Sequence, residues 1–468
     1  MLQRLFIVGL WAWCSFCLLT FNSEGADCMG EDIDRLTLAA GVSYPINTRP
    51  LQPQEIAGIL QEIEKNKGTD QFSQTLEVLL NRLKQELRQT KQAGISLFVI
   101  KDDDSSFINN YGEKYQQGVN LSADMRICGK FYDLCPQLKL SHDAVTADLK
   151  WGYLSYSKWN TTIQAGRIPH WWGPGHSGAW LLTTNAQTFD QIRVANKQAV
   201  LLPWLGRSKF EFILGKLSKQ TISYKNNGVD TQKVENPQLI GLRFDCSPNK
   251  YMEFGVGETC MLSGRERLKI KDYLQAMFPG GDATTQETTH GPITNRIASI
   301  DTTFRIPTNY RWLKGTEIYW EYGGEDCNPN SLGFQFLSAP ANLFGIYLDT
   351  GTADLRIEYT EDEDDCVIWY THGNFAEGYR HKGEILGHHM NGKSWWLRTS
   401  YPITPKQIGF LEAEMVNDKI LSVTLGCLDS WRLRVQSDDR VSIDYKMSPQ
   451  KHNNSMQIQK KIHKGCKS

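Results

Sequence analysis

Two periodicities divide the chain. Between Pro53 and Leu87, apolar residues recur at spacings of three and four: Ile56, Ile59, Leu60 and Ile63, then Phe72, Leu76, Leu79, Leu80, Leu83 and Leu87. Lys67-Gly68 breaks the first run, and the second ends near Gly94. The spacing predicts a small helical bundle within residues 27–94, its apolar faces packed together. From Ile95 onward the period is two. In "TEIYWEYGG" Ile318, Trp320 and Tyr322 alternate with Glu317, Tyr319 and Glu321; in "ADLRIEYTE" Leu355, Ile357 and Tyr359 alternate with Arg356, Glu358 and Thr360. "SWRLRVQS" and "RVSIDYK" repeat the pattern, with Trp431, Leu433, Val435, Val441, Ile443 and Tyr445 on the apolar side.

A soluble β-sandwich shows the same alternation, so the pattern alone leaves two architectures open. Three features favour a membrane β-barrel. The polar face carries Glu and Arg, as a wet lumen would. Trp151, Tyr153 and Trp159 stand at strand ends like an interfacial girdle. After residue 26 no run reaches the ~18 apolar residues of a spanning helix, and a closed barrel is the one other fold that satisfies its backbone in lipid. Residues 95–446 then provide an all-β transmembrane barrel of about 18 antiparallel strands. A barrel of that width has a lumen to fill, and the N-terminal helices are the natural plug. Residues 447–468 form a basic polar tail, Lys451–Ser468 lying past the last strand residue, Tyr445.

The first 26 residues read as a signal peptide: Arg4, an apolar run from Leu5 to Phe21, then small residues around Gly25 and Ala26. The 468 residues carry a net charge of −1 and no long basic stripe, which excludes a nucleic-acid partner. Nine cysteines follow the signal: Cys28, Cys128, Cys135, Cys246, Cys260, Cys327, Cys366, Cys427 and Cys466. An odd number leaves at least one thiol unpaired. Cys128 and Cys135 bracket "GKFYDL", short enough for a hairpin that would join them. Cys246 and Cys260 fall too far apart along neighbouring strands to pair.

Other chemistries are weak. No C-x-x-C or H-E-x-x-H motif occurs, and no cofactor or metal is called for. Glu361-Asp362-Glu363-Asp364-Asp365 reads as a solvated acidic loop, and His388-His389 as polar loop or lumen residues. "GHSGA" fails as a nucleophile elbow because Ala179 stands where glycine is needed. A glycosidase needs two carboxyls within about 5–9.5 Å. Glu317 and Glu321 share a strand face with Cα atoms ~13 Å apart, although a cross-strand pair could still serve.

The most unusual stretch is residues 166–175, "GRIPHWWGPG". Pro174-Gly175 suits a type II turn, with glycine accepting φ > 0. If Trp171 and Trp172 end a wall strand, one ring faces lipid and the other the lumen. Arg167, four residues before Trp171, shares its face if the segment is extended. Together they would offer a planar donor and an aromatic platform for an acidic sugar.

The surrounding "AGRIPHWWGPGHSGAWLLTTNAQTFDQIRV" (165–194) closely resembles the signature of the Wzi capsule-assembly family. "RPLQPQEIAGIL" (49–60) and "GYRHKGEILGHHM" (378–390) resemble it too. The resemblance implies a non-enzymatic outer-membrane lectin that holds capsular or extracellular polysaccharide at the cell surface. It implies polysaccharide contact by Arg167, His170, Trp171, Trp172, Gly173, Pro174, Gly175, Tyr379 and Arg380. The expected partners are polysaccharide and outer-membrane lipids, with the protein a monomer. The alternatives are a porin or transporter barrel and, behind it, a glycoside hydrolase.

Overall fold

The computed structural model describes residues 26–447 apart from 67–73, 89–90, 101–105, 227–228, 265–267, 278–291, 309, 311, 326–339, 363–368, 390–391, 405–406, 418, 428–430 and 437–439. The signal segment up to residue 25, the tail after 447 and Glu363–Asp365 of the acidic run therefore lie outside the described residues.

Three helices precede the sheet: α1 (Ala26–Ala40), α2 (Pro53–Asn66) and α3 (Gln74–Arg88). The apolar positions named above for α2 and α3 form one core with Ile33, Leu36, Ala39 and Ala40 of α1. The periodicity missed α1, whose buried face mixes those residues with Asp32, Asp34 and Arg35. Gln52 opens α2 by donating its backbone N–H to Glu55, 2.7 Å away, which satisfies one orphan amide of the first turn.

The sheet consists of β1 (Lys91–Ile100), β2 (Gly118–Cys128), β3 (Tyr132–Leu140), β4 (Val145–Lys158), β5 (Thr161–Arg167) and β6 (Asp190–Asn196). It continues through β7 (Gly206–Lys216), β8 (Gln238–Asn249), β9 (Met252–Gly264), β10 (Pro292–Pro307), β11 (Gly315–Glu325) and β12 (Pro340–Asp349). The last third is β13 (Asp354–Glu361), β14 (Lys393–Thr404), β15 (Gln407–Val416), β16 (Lys419–Cys427), β17 (Trp431–Gln436) and β18 (Arg440–Met447). Each pairs antiparallel with its successor, and β18 returns to β1 through Ile95↔Tyr445, closing the barrel. No described helix is long and apolar enough to cross a membrane, which says nothing about a barrel.

The two ends of the barrel differ. At one end the strands are joined by short turns such as Cys128–Tyr132, Lys158–Thr161, Asn249–Met252 and Asp349–Asp354, and the helical segment enters the sheet there. At the other end lie the long connections, including 168–189, 217–237 and 362–392.

Burial fixes which face is inside. Glu317, Tyr319, Glu321, Arg356, Glu358 and Thr360 are buried, whereas Ile318 is 45% exposed and Phe344 49%. The polar alternation is therefore the lumen face and the apolar one the outer wall. The lumen is not wet in the manner the charges suggested, because they are buried in ion pairs. Arg243 lies 2.6 Å from both Asp245 and Asp301, and Arg305 bridges Glu253 (2.6 Å) and Glu317 (3.1 Å). Breaking such a buried pair by removing one partner costs about 3–5 kcal/mol.

Of the three aromatics expected to form a girdle, only Trp159 projects outward. Trp159 is 86% exposed on a short turn, joined on that rim by Trp204 (97%) and Trp312 (70%). Trp151 and Tyr153 instead point inward to Asp133, because a register shift at Cys135/Pro136 turns that part of β4 toward the lumen.

The Cys128–Cys135 bridge does not form. Cys128 stands opposite Asp133, so Cys135 is its diagonal rather than its direct neighbour. That places the two Cα atoms ~7–8 Å apart, beyond disulfide reach. Cys246 and Cys260 are not joined to each other either; they face Phe254 and Ile240, roughly 20 Å apart along the sheet.

Candidate functional site

After Arg167 the chain leaves the wall and folds into the lumen, returning at Asp190. There Trp171 and Trp172 form a two-residue strand, but its partner is Thr48–Arg49 of the N-terminal segment, not the barrel. A strand from one end of the barrel thus meets a strand from the other inside it. Neither indole faces lipid. Trp172 is fully buried, its Nε1 donating to Glu211 at 3.2 Å; Trp171 Nε1 donates to the Gly175 carbonyl at 2.8 Å. The wall-strand reading failed because the tryptophans pair within the lumen, where both faces are packed.

The turn chemistry differs as well. The positive φ belongs to Gly173 (147°), not Gly175, so Pro174-Gly175 is not a type II turn. Gly173 is needed for a second reason: a Cβ there would meet Glu321 Oε2 at 2.5 Å. Pro174 and Gly175 are buried beside it, and a Cβ on Gly175 would strike the Gly178 carbonyl at 2.2 Å.

Wall carboxylates hold this loop through its backbone as well as its side chains. His170 lies 3.0 Å from Glu211 through Nδ1 and 2.6 Å from Gln191 through Nε2. Glu358 accepts the backbone N–H groups of His176 and Ser177, both at 2.7 Å. Glu321 accepts that of Trp180 at 3.2 Å. Asp34 of α1 gathers the system, 2.7 Å from Arg49, 3.2 Å from His176 and 3.6 Å from Arg356. Burial, followed by the positive charge of Arg356, Arg49 and Arg398, holds the His176 pKa well below the usual histidine range.

Asp301 and Glu321 are direct cross-strand neighbours, the arrangement a glycosidase could use. Both are buried and engaged, Asp301 by Arg243 and Asn47, Glu321 by the Trp180 amide, so neither is presented to a substrate. Glu317 is likewise taken by Arg305 and Arg356. Among the described residues, no three His, Cys, Asp or Glu side chains are grouped to hold a metal ion.

The second predicted stretch, around Tyr379, caps the same loop. Tyr379 is buried, its hydroxyl 3.0 Å from the Leu181 carbonyl and 2.8 Å from Thr259 Oγ1. Tyr370 stacks on it at 5.8 Å and donates to the Trp180 carbonyl at 2.9 Å. His388 packs on Trp180, and burial with His389 beside it lowers its pKa well below normal.

Of the nine predicted contact residues, His170, Trp171, Trp172, Gly173, Pro174, Gly175 and Tyr379 are buried supports, whereas Arg167 and Arg380 are half-exposed. Arg167 does not share a face with Trp171. It points outward from the end of β5, bonded to Asp148 and Asp190. Arg380 lies at the long-loop mouth, anchored to the Gly383 carbonyl at 3.1 Å.

That mouth brings together residues the motifs did not flag. Tyr111 sits in left-handed backbone (φ 56°) with Lys150 4.9 Å over its ring. Lys382 reaches Gln187 at 2.7 Å, Gln187 reaches the Gly112 carbonyl at 3.3 Å, and Lys114 pairs with Glu384. Segments 106–115, 183–188 and 380–386 are thereby tied into one cationic, aromatic-bearing cap. A signal existed in "NNYGEK" (109–114), a polar turn with an aromatic at its tip.

Fold and site together define a closed antiparallel β-barrel with an occupied lumen and a tied loop cap at one mouth; the described residues form eighteen principal strands, and the short Val200–Leu202 pairs with Gly206–Ser208. The chain belongs to the family described as Capsule assembly protein Wzi, whose pattern matches residues 88–419. It is 22% identical over 307 residues, 63% of this chain, to an "Uncharacterized 55.8 kDa protein in cps region" of Klebsiella pneumoniae. The match spans 56% of that relative's length. Among solved structures it is similar to Wzi of Escherichia coli, an outer membrane protein involved in group 1 capsule assembly and a carbohydrate-binding β-barrel. The TM-score is 0.65 at 19% identity, covering 91% of this chain and 98% of the other. OpdL of Pseudomonas aeruginosa aligns with a TM-score of 0.42 and 11% identity, over 76% and 98% of the two chains.

Proposed function

We propose that this protein is an outer-membrane barrel that binds capsular or extracellular polysaccharide at the cell surface and assists capsule assembly, without catalysing a reaction. The observation that carries the reading is the meeting of Thr48–Arg49 with Trp171–Trp172 inside the lumen. A lumen occupied from both ends argues against the porin alternative and leaves the loop mouth as the working surface. Family membership supports the capsule assignment, and the similar E. coli structure is named as a carbohydrate-binding barrel. Short turns and the chain's entry at one end, with long loops at the other, match the arrangement of outer-membrane barrels, whose long loops face outward. The helices at the short-turn mouth act as the plug.

In this reading the buried residues His170 to Gly175 and Tyr379 shape the cap, and Arg380, Lys382, Lys114 and Tyr111 touch the glycan. Guanidinium and ammonium groups suit the carboxylates of an acidic polysaccharide. The test is co-sedimentation of purified barrel with capsular polysaccharide. Arg380→Glu with Lys382→Glu is expected to lower retention at least ~10-fold, a combined loss of about 1.4 kcal/mol, while the protein still shifts mobility in SDS only on boiling. Full retention by that variant would defeat the assignment, and single-channel conductance from the wild type would favour the porin.

A further inference from the structure

The outer wall carries a groove of about 930 Å³ crossing β1 to β6. Along it, outward positions that elsewhere hold Phe254, Phe304, Phe344 or Trp395 are occupied by Ala93, Ala123 and Ala147, with Met125 and Leu138 on its flanks. Its floor is nearly bare backbone. A Cβ on Gly166 (φ 134°) would lie 2.3 Å from the Gly152 carbonyl, so those two strands approach more closely than any side chain allows. Pro136, with no N–H for the ladder, stands at the register shift that bends this part of the wall.

At its loop-side end the groove meets three charged groups. Arg167 Nη1 lies 3.3 Å from Asp148 and from the Leu149 carbonyl, and Nε lies 3.3 Å from Asp190. The carboxylates are half to three-quarters exposed, and such single-point contacts contribute little stability. One guanidinium between two accessible carboxylates is complementary to a group that carries a phosphate and an ammonium together.

We infer that this groove binds a single phospholipid with a phosphoethanolamine headgroup: acyl chain along the alanines, phosphate on Arg167, ammonium between Asp148 and Asp190. The site rests on the membrane-barrel reading but not on polysaccharide binding. An outward groove on spanning strands meets lipid first. An anionic headgroup alone would face two carboxylates for one cation, which disfavours phosphatidylglycerol and lipopolysaccharide.

The test is native mass spectrometry of the full chain purified in detergent and equilibrated separately with phosphatidylethanolamine, phosphatidylglycerol and lipopolysaccharide. One phosphatidylethanolamine per barrel should survive, with roughly ten-fold weaker retention of the other two, an energy gap of ~1.4 kcal/mol. Ala123→Trp fills the groove and should abolish retention; Ala147→Phe serves if that variant does not fold. Arg167→Ala should lower retention while leaving the polysaccharide co-sedimentation unchanged. Equal or better retention of phosphatidylglycerol or lipopolysaccharide, or undiminished phosphatidylethanolamine on the filled groove, overturns the site. A chain recovered from the soluble fraction without detergent would overturn the barrel reading itself.

Discussion

The outer wall and the lumen of this barrel are built from the same strands but by opposite logic. Outward positions are apolar, make few specific contacts and are individually replaceable. Inward positions are largely polar or charged and buried, and many meet partners far away in sequence. Arg35 meets Asp349 at 3.0 Å, and Asn47 Nδ2 meets Asp301 at 3.1 Å. One face is adapted to a solvent; the other is adapted to one particular set of inserted segments. Tolerance to substitution should therefore differ sharply between faces.

The strongest contrast should come from Arg243. Arg243→Met leaves Asp245, Asp301 and Thr48 without their shared donor, an expected loss of about 3–5 kcal/mol. Urea unfolding in detergent micelles measures it, and a midpoint unchanged from wild type would remove the ion pairs from the account of stability. Trp172→Ala is the next test. Its ring packs against Gly241 and Ile213 in the lumen core, so truncation should cost about 3–5 kcal/mol. Trp204→Ala, on the exposed rim, should change stability by less than ~0.5 kcal/mol. Similar midpoints for the two tryptophan variants would erase the distinction between faces.

A smaller effect follows from His381. It is buried in the loop cap, where its Nδ1 accepts the Ser218 N–H at 2.9 Å. Burial, with Lys382 and Arg167 nearby, lowers its pKa from 6.5 to about 4. The unfolded state therefore binds more protons between those values. Its contribution is complete above pH 6.5 and lost as pH falls toward 4. Hydrogen exchange at Ser218 should accelerate between pH 7 and 5, and His381→Phe should flatten that dependence; a wild-type rate that stays flat once intrinsic exchange is corrected contradicts it. The least effect of all is expected from reducing agent. Cys128 and Cys135 are not joined to each other, so dithiothreitol should leave both of their peptides unchanged in a proteolytic map, and a linked 128–135 peptide seen only before reduction would contradict this.

The wall was legible because a strand's side chains alternate regardless of its partners. Ile318 and Glu321 announce their faces from neighbours one or two positions away. The helices α2 and α3 were readable on the same grounds, whereas α1 was not, since Asp34 and Arg35 look solvent-facing until Arg49, Asp349 and Arg356 are placed around them. The inserted loop was the hardest part. "GRIPHWWGPG" shows that something unusual happens between two strands, but not that the tryptophans turn inward to meet Thr48. The cysteine pair failed on a shift of two residues in register, which hairpin length alone does not fix. The mouth residues Tyr111 and Lys114 on one segment and Lys382 on another lie some 270 residues apart, and only folding brings them together.

The pairing of Thr48 with Trp172 also constrains how the molecule is made. The segment between α1 and α2 ends up surrounded by wall, although it precedes every strand of that wall. Closure joins β1 to β18, whose paired residues Ile95 and Tyr445 stand at opposite extremes of the sheet's sequence. If the seam zipped first, residues 44–50 and 168–189 would have to thread a finished ring from opposite ends, stripping Arg49 and His176 of water on the way. An open sheet wrapped around a partly assembled interior avoids that barrier. By that route the hydrogen bonds between the first strand and the last are the final ones to form.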